Sequence, residues 1–474
     1  MSGSGTNVNL DQAIGSLPVP LSQRNWGGLL AGAVSITAGV ATWSFVVGGF
    51  TANYVDARMG TAAMLAGGLI SQFLISLAQI PPVTKYGLET VTTTKPQLGT
   101  RGSAFALFVQ YLTLIGWNCV LIIFLGRAIG ASLVQLGLIT AEIQEGVATA
   151  AAVLTTFGIW VLLLMGAEGL KYTGVVVAIG IFVIGTWMYV LLVQTYGVSA
   201  IASAKPVAPL PQGRLMNYSV ALEVLLVSTL GWWAYMGSMF RMVGTASKAI
   251  YPSMGSLGLG WAAVGLIGLY AGLVVGQPDP TVWIVEIAGP VAGVGVLTFV
   301  ILSNLGSALV GAHAATLGFG QLPAVARNLS WASKTFAVLI PMFIVEMFFS
   351  TAFYDNIGTF MAFIGIFIAP IVGVQIVDWF AFKRIHRLHV PSLFRHDRRS
   401  CYWYLGGFNI VGMLSLALGA LTYVLLLDPV TFVPNSDIVQ YTTASLPSVV
   451  VGGLAYYIGM RLFGDLDPEA RLKQ

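Results

Sequence analysis

The chain has 474 residues, of which 57% are hydrophobic and 8% charged, with a formal net charge of +4. A soluble domain carries about a quarter charged residues, so a mean hydropathy of +0.84 excludes that class and puts most of the chain in lipid. The basic residues form no soluble face, which excludes a nucleic-acid partner.

A polar tail (1–25) without a signal-peptide pattern comes first. Six apolar runs follow: Trp26–Asn53, Gly60–Pro81, Ser103–Leu133, Val147–Leu164, Thr173–Gln194 and Val220–Met242. Six more complete the chain: Met254–Gly276, Pro290–Thr316, Thr335–Ala352, Ile357–Phe380, Tyr402–Leu427 and Leu446–Phe463. Each can supply the ~20 residues that a bilayer helix needs. They are continuously apolar rather than alternating, so helices, not barrel strands, are the spanning element. The expected class is an all-α integral membrane protein with twelve transmembrane helices.

Charge sets the expected orientation. With the N-terminus inside and loops assigned alternately, 18 of the 22 Lys and Arg fall on the inner side. Only Arg58, Arg127, Lys205 and Arg214 fall outside. By the positive-inside rule both termini are cytoplasmic, in the plasma (cytoplasmic) membrane. His386, His389 and His396 belong to the basic inner loop, which reads as an anchor near anionic lipid. His313 alone reads as packing. Cys119 in a membrane helix and Cys401 at an inner loop suggest neither a disulfide nor a metal site, and no cofactor is implied.

Twelve helices joined by short loops suit a carrier, and no metalloprotease, nucleophile-elbow or P-loop motif is present. In inverted-repeat transporters the site lies where helices are interrupted, at matching positions of the two halves. The first span reads SITAGVATWSFVVGG (Ser35–Gly49) and the sixth VSTLGWWAYMGS (Val227–Ser238). Both place Gly, Ser and Thr where a plain anchor would place Leu. Close helix packing through small residues is the competing explanation. The five-helix separation favours two interrupted helices.

Six motifs then carry a resemblance. They are RNWGG (Arg24–Gly28), GTRGS (Gly99–Ser103), IGWN (Ile115–Asn118), GWWAY (Gly231–Tyr235) with Arg241, APIVGVQIVDWFAFKR (Ala369–Arg384) and YWYLGGFN (Tyr402–Asn409). In this order the chain resembles the nucleobase–cation symporter-1 family of cytosine permeases, hydantoin transporters and fungal purine–cytosine permeases. The resemblance implies a five-plus-five inverted repeat with discontinuous helices 1 and 6, plus two C-terminal helices. The repeats would be 26–200 and 219–381, followed by a basic cytoplasmic loop (382–401), the last two helices (402–463) and a cytoplasmic tail (464–474).

The resemblance also implies a planar heterocycle held between aromatic residues of helices 3 and 6, at positions matching Trp117 and Trp232. Trp233 projects about 100° away on a regular helix and is expected to pack. Three polar handles of the hydantoin-transporting members are replaced here, at Ala41, Leu121 and Ala312. Asn118, backbone groups near Gly231 and Ala41, and Asn304 are the candidates to serve the ring's edge instead. Ser303, Asn304, Ser307 and Gly311 share one face of helix 8.

In sodium-coupled relatives the ion lies between helices 1 and 8. The matching ligands are the carbonyls of Thr37, Val40 and Ser303 and the hydroxyl of Ser307, with Gly306 where a second hydroxyl would stand. The alternative coupling ion is a proton, for which Glu223 and Glu346 are candidates as acids within apolar runs. A structural or interfacial role competes for both. The expected function is a cation-coupled importer of a nucleobase or related heterocycle, acting as a monomer. The alternatives are a carrier for another small organic solute, such as an amino acid or vitamin, and an uncoupled facilitator or channel.

Overall fold

A computed structural model describes residues 17–39, 43–164, 168–465 and 468–469, and its regular elements are helices. The first predicted span contains α1 (Gly28–Gly39) and α2 (Trp43–Ala52). Then come α3 (Ala57–Tyr86), α4 (Ser103–Gln135), α5 (Gln144–Leu164) and α6 (Glu168–Ser203). The sixth span is composite: α7 (Arg214–Leu230), a 3-10 turn (Gly231–Tyr235) and α8 (Met236–Phe240). The seventh joins α9 (Ser247–Ser253), a π-helical stretch (Met254–Gly260) and α10 (Trp261–Val275). A short α11 (Pro280–Ala288), not foreseen from sequence, precedes α12 (Pro290–Phe319). The chain closes with α13 (Trp331–Phe348), α14 (Ile357–Ile376), α15 (Ile410–Leu426) and α16 (Ser445–Phe463).

Among the described residues, ten helical stretches are long and apolar enough to cross a membrane. They coincide with ten of the twelve predicted spans. The exceptions are the first, of which two shorter helical stretches are described on either side of residues 40–42, and the eleventh, which is 17 residues long. The break expected in the first span falls at Val40 and Ala41, outside the described residues. The break expected in the sixth is present as the 3-10 turn.

Local chemistry sets the boundaries. Asp56 caps α3 by accepting from the Met59 N–H at 2.9 Å, and Gly87 ends it in the left-handed region at φ 69°. Side chains of Asp279, Ser330 and Asn409 cap α11, α13 and α15 in the same way. Tertiary packing then buries the break in the sixth span. The packed pairs include α4 with α12, α2 with α10, and α3 with α7. The α2–α10 pair requires glycine: a Cβ on Gly268 would lie 2.1 Å from the Phe45 carbonyl oxygen. Such backbone contact replaces the hydrophobic drive that lipid does not supply between helices.

The family-like motifs find one another. The Arg101 N–H donates to the Gly407 carbonyl at 2.8 Å and the Asn409 N–H to Leu98 at 2.8 Å, joining GTRGS to YWYLGGFN. The Arg24 guanidinium donates to the carbonyls of Thr84 and Lys85 at the end of α3, each at 2.8 Å, so it satisfies acceptors the helix leaves open. Asp378 and Arg384, both fully buried, form an ion pair at 3.0 Å. These motifs are therefore mainly joints of the scaffold.

Candidate functional site

The 3-10 turn decides how the tryptophan pair is used. In a 3-10 turn, side chains three apart eclipse one another, and the rings of Trp232 and Tyr235 indeed lie 4.9 Å apart. Trp233 faces elsewhere: fully buried, its Nε1 donates to Gln375 Oε1 on α14 at 2.8 Å. Gln375 is also held by Gln79 at 3.0 Å. The broken backbone is satisfied by side chains, as a membrane interior demands. Gln110 Nε2 of α4 donates to the Ala234 carbonyl at 2.7 Å and to Glu89 at 2.8 Å. The Gly237 N–H donates to Thr90 Oγ1 at 2.8 Å.

Trp117 of α4 reaches this turn across Gly231, where a Cβ would lie 2.6 Å from Trp117 Nε1. The resulting cleft is lined by Trp117, Leu121, Gly231, Trp232 and Tyr235, with Ser307 of α12 and Trp43 of α2. Its free volume is about 10 Å³, roughly one water molecule. Trp43 packs against both tryptophans there, with ring centroids 4.7 Å from Trp117 and 5.7 Å from Trp232. Among the described residues, Trp232 Nε1, Ser303 Oγ and Ser307 Oγ are buried without a hydrogen-bond partner.

The structure brings Trp117, Trp232, Gly231, Leu121 and Ser307 to one cavity. Asn118 and Asn304 it places in the α4–α12 contact. Asn118 Nδ2 donates to the Ala308 carbonyl at 3.1 Å, and Asn304 Nδ2 to that of Leu121 at 3.2 Å. Thr37 donates back to Ala33 at 2.9 Å. Val40 and Ala41 lie outside the described residues.

The two candidate acids differ. Glu223 Oε2 accepts from the N–H groups of Ala444 and Ser445, both at 3.0 Å, and its Oε1 accepts from Ser445 Oγ at 2.6 Å. A carboxylate there satisfies the start of α16 and complements its dipole. Glu346 accepts from Thr156 Oγ1 at 2.7 Å, while its Oε2 has no partner among the described residues. Glu223→Gln is expected to cost about 1–3 kcal/mol, read as a lower Tm in detergent, with the pH dependence of uptake unchanged. An altered pH dependence would restore a proton-carrying role.

A family model described as permease for cytosine/purines, uracil, thiamine and allantoin matches residues 18–441. The chain belongs to that permease family. The permease also resembles solved structures of Mhp1, a nucleobase-cation-symport-1 family transporter. With Mhp1 closed on bromovinylhydantoin, identity is 17%, the TM-score 0.73, and coverage 96% of this chain and 98% of that one. With inward-facing Mhp1, identity is 15%, the TM-score 0.74, and coverage 96% of each chain. A Na+-coupled sialic acid symporter follows at 12% identity and a TM-score of 0.52, over 92% of this chain and 91% of that one. No curated protein sequence matches. The architecture fits the inverted-repeat transporter fold, and the family is one of carriers rather than enzymes.

Two parts of the permease's cleft escaped sequence reading. Tyr235 stands three residues after Trp232, a spacing that signals contact only once the turn is 3-10. Trp43 lies two residues past Ala41 in the span expected from sequence to be interrupted. That nearness to the break was the available signal.

Proposed function

We propose that the permease imports a nucleobase or related planar nitrogen heterocycle, of purine, cytosine, hydantoin or allantoin type, by cation symport with alternating access. The observation that carries this is the aromatic cleft where the sixth span is broken, with unpartnered polar atoms at Trp232 and Ser307. Aromatic faces suit a flat conjugated ring, at about 1–3 kcal/mol per stacked base, and the polar atoms suit its heteroatom edge. The hydantoin-type ligand bound in Mhp1 supports the same reading. Both termini are cytoplasmic in this proposal, on the distribution of Lys and Arg.

For the coupling ion, sodium draws support from Ser303 and Ser307, two buried hydroxyls on α12 that no described residue engages. The proton alternative draws on Glu346, whose second oxygen is unengaged. Uptake into cells or vesicles, measured with sodium replaced by choline and then across a pH gradient, tests both. If sodium drives transport, Ser307→Ala is expected to reduce the sodium dependence. If protons drive it, Ser307→Ala leaves coupling intact and Glu346→Gln makes uptake insensitive to the pH gradient. Indifference to both gradients would leave an uncoupled facilitator.

A further inference from the structure

Trp43 has a position that the heterocycle reading alone does not explain. On α2, it packs against both of the tryptophans assigned to the substrate, with interplanar angles of 45° to Trp117 and 47° to Trp232. Its third neighbour is Trp261 of α10, at 5.1 Å. With the indole there, space for about one water remains. A heterocycle of one or two rings is the size of an indole or slightly smaller, so it cannot share the cleft with Trp43. The indole is also an incomplete occupant. It fills the volume, yet Trp232 Nε1 and Ser307 Oγ, on two residues lining that volume, remain without partners among the described residues.

We propose that Trp43 is a built-in occupant of the substrate position, which closes the cleft when it is empty and which a substrate must displace. The inference rests on the reading that this cleft takes a planar heterocycle. Its consequence is competition within the molecule. A ligand that binds only the fraction of molecules with Trp43 withdrawn has its apparent affinity lowered by that fraction. Displacement then selects by chemistry. A ring with carbonyl or imino acceptors and ring N–H donors can satisfy the buried donor of Trp232 and the hydroxyl of Ser307, which the indole leaves unsatisfied. A hydrocarbon ring of equal size gains nothing over the indole that it replaces.

The test compares wild type, Trp43→Ala, Trp43→Phe and Trp117→Ala, each purified in detergent and shown to be monodisperse. Binding of hydantoin, uracil, cytosine, adenine, allantoin and free indole is measured by calorimetry. For whichever ring wild type binds, Trp43→Ala is expected to bind at least tenfold more tightly, with Trp43→Phe in between. Free indole is expected to bind Trp43→Ala, by refilling the space, and not wild type. Should Trp43→Ala fail to fold, Trp43→Phe carries the test with the same sign and a smaller gain. Weaker binding in the Trp43 variants, as in Trp117→Ala, would make Trp43 a wall of the site and overturn the proposal, while the heterocycle reading stands. Absence of ring binding by wild type and every variant would overturn both.

Discussion

Arg384→Ala is expected to lower the stability of the permease by about 3–5 kcal/mol, because it strands a buried carboxylate. The partner is Asp378, at the end of the tenth span, and neither side chain is exposed. Asp378 also accepts from the Tyr456 hydroxyl at 2.9 Å and from Gln97 Nε2 at 2.7 Å. Arg384 reaches the Pro96 carbonyl at 3.1 Å and Glu469 at 3.7 Å. The pair therefore ties together α14, α16, the segment before α4 and the C-terminal end of the chain. Burial pushes the Glu469 carboxyl up, and Arg384 opposes that rise. Thermal unfolding in detergent should show the loss directly. Replacing both partners, Asp378→Asn with Arg384→Met, is expected to recover part of it, since the fully buried carboxylate is then removed and only Glu469 loses its cation. A single variant as stable as wild type would show that the pair is solvated.

The largest functional effect is expected at the stack. Trp117→Ala and Trp232→Ala should each weaken heterocycle binding by roughly 1–3 kcal/mol, about 5- to 150-fold in Kd. Trp233→Phe should leave Kd nearly unchanged and lower the Tm, because it removes the bond from Nε1 to Gln375 and leaves a small cavity at a fully buried site. The informative outcome is the contrast between adjacent residues. If Trp233 governs affinity and Trp232 is silent, the cleft assignment is wrong.

Much of this architecture was legible because lipid imposes few choices. Continuous apolar runs of about 20 residues can span only as helices, and ten of the twelve reappear at full spanning length. The interruption in the sixth span was legible as a small-residue cluster beside Gly231. Trp117 and Trp232 came from motif resemblance, and the cavity does gather both.

Side-chain direction was less legible. Asn118 follows Trp117 in sequence, but one residue along a helix turns about 100°, and its amide serves the α12 backbone. The backbone expected to be available near Gly231 is partly engaged, since Gln110 and Thr90 satisfy Ala234 and Gly237. Nothing near Glu223 in sequence indicates that its carboxylate meets the start of a helix more than 220 residues later.

The sequence alone thus determined that this is a helical membrane protein of transporter type, and where its sixth span breaks, because composition and local turn chemistry act over a few residues. Tertiary structure alone decided which side chains share the cleft, that Trp43 packs against both tryptophans, and which buried acid is fully bonded. Those outcomes depend on how distant helices meet, at positions set by glycine contacts and buried polar bonds between segments far apart in the chain.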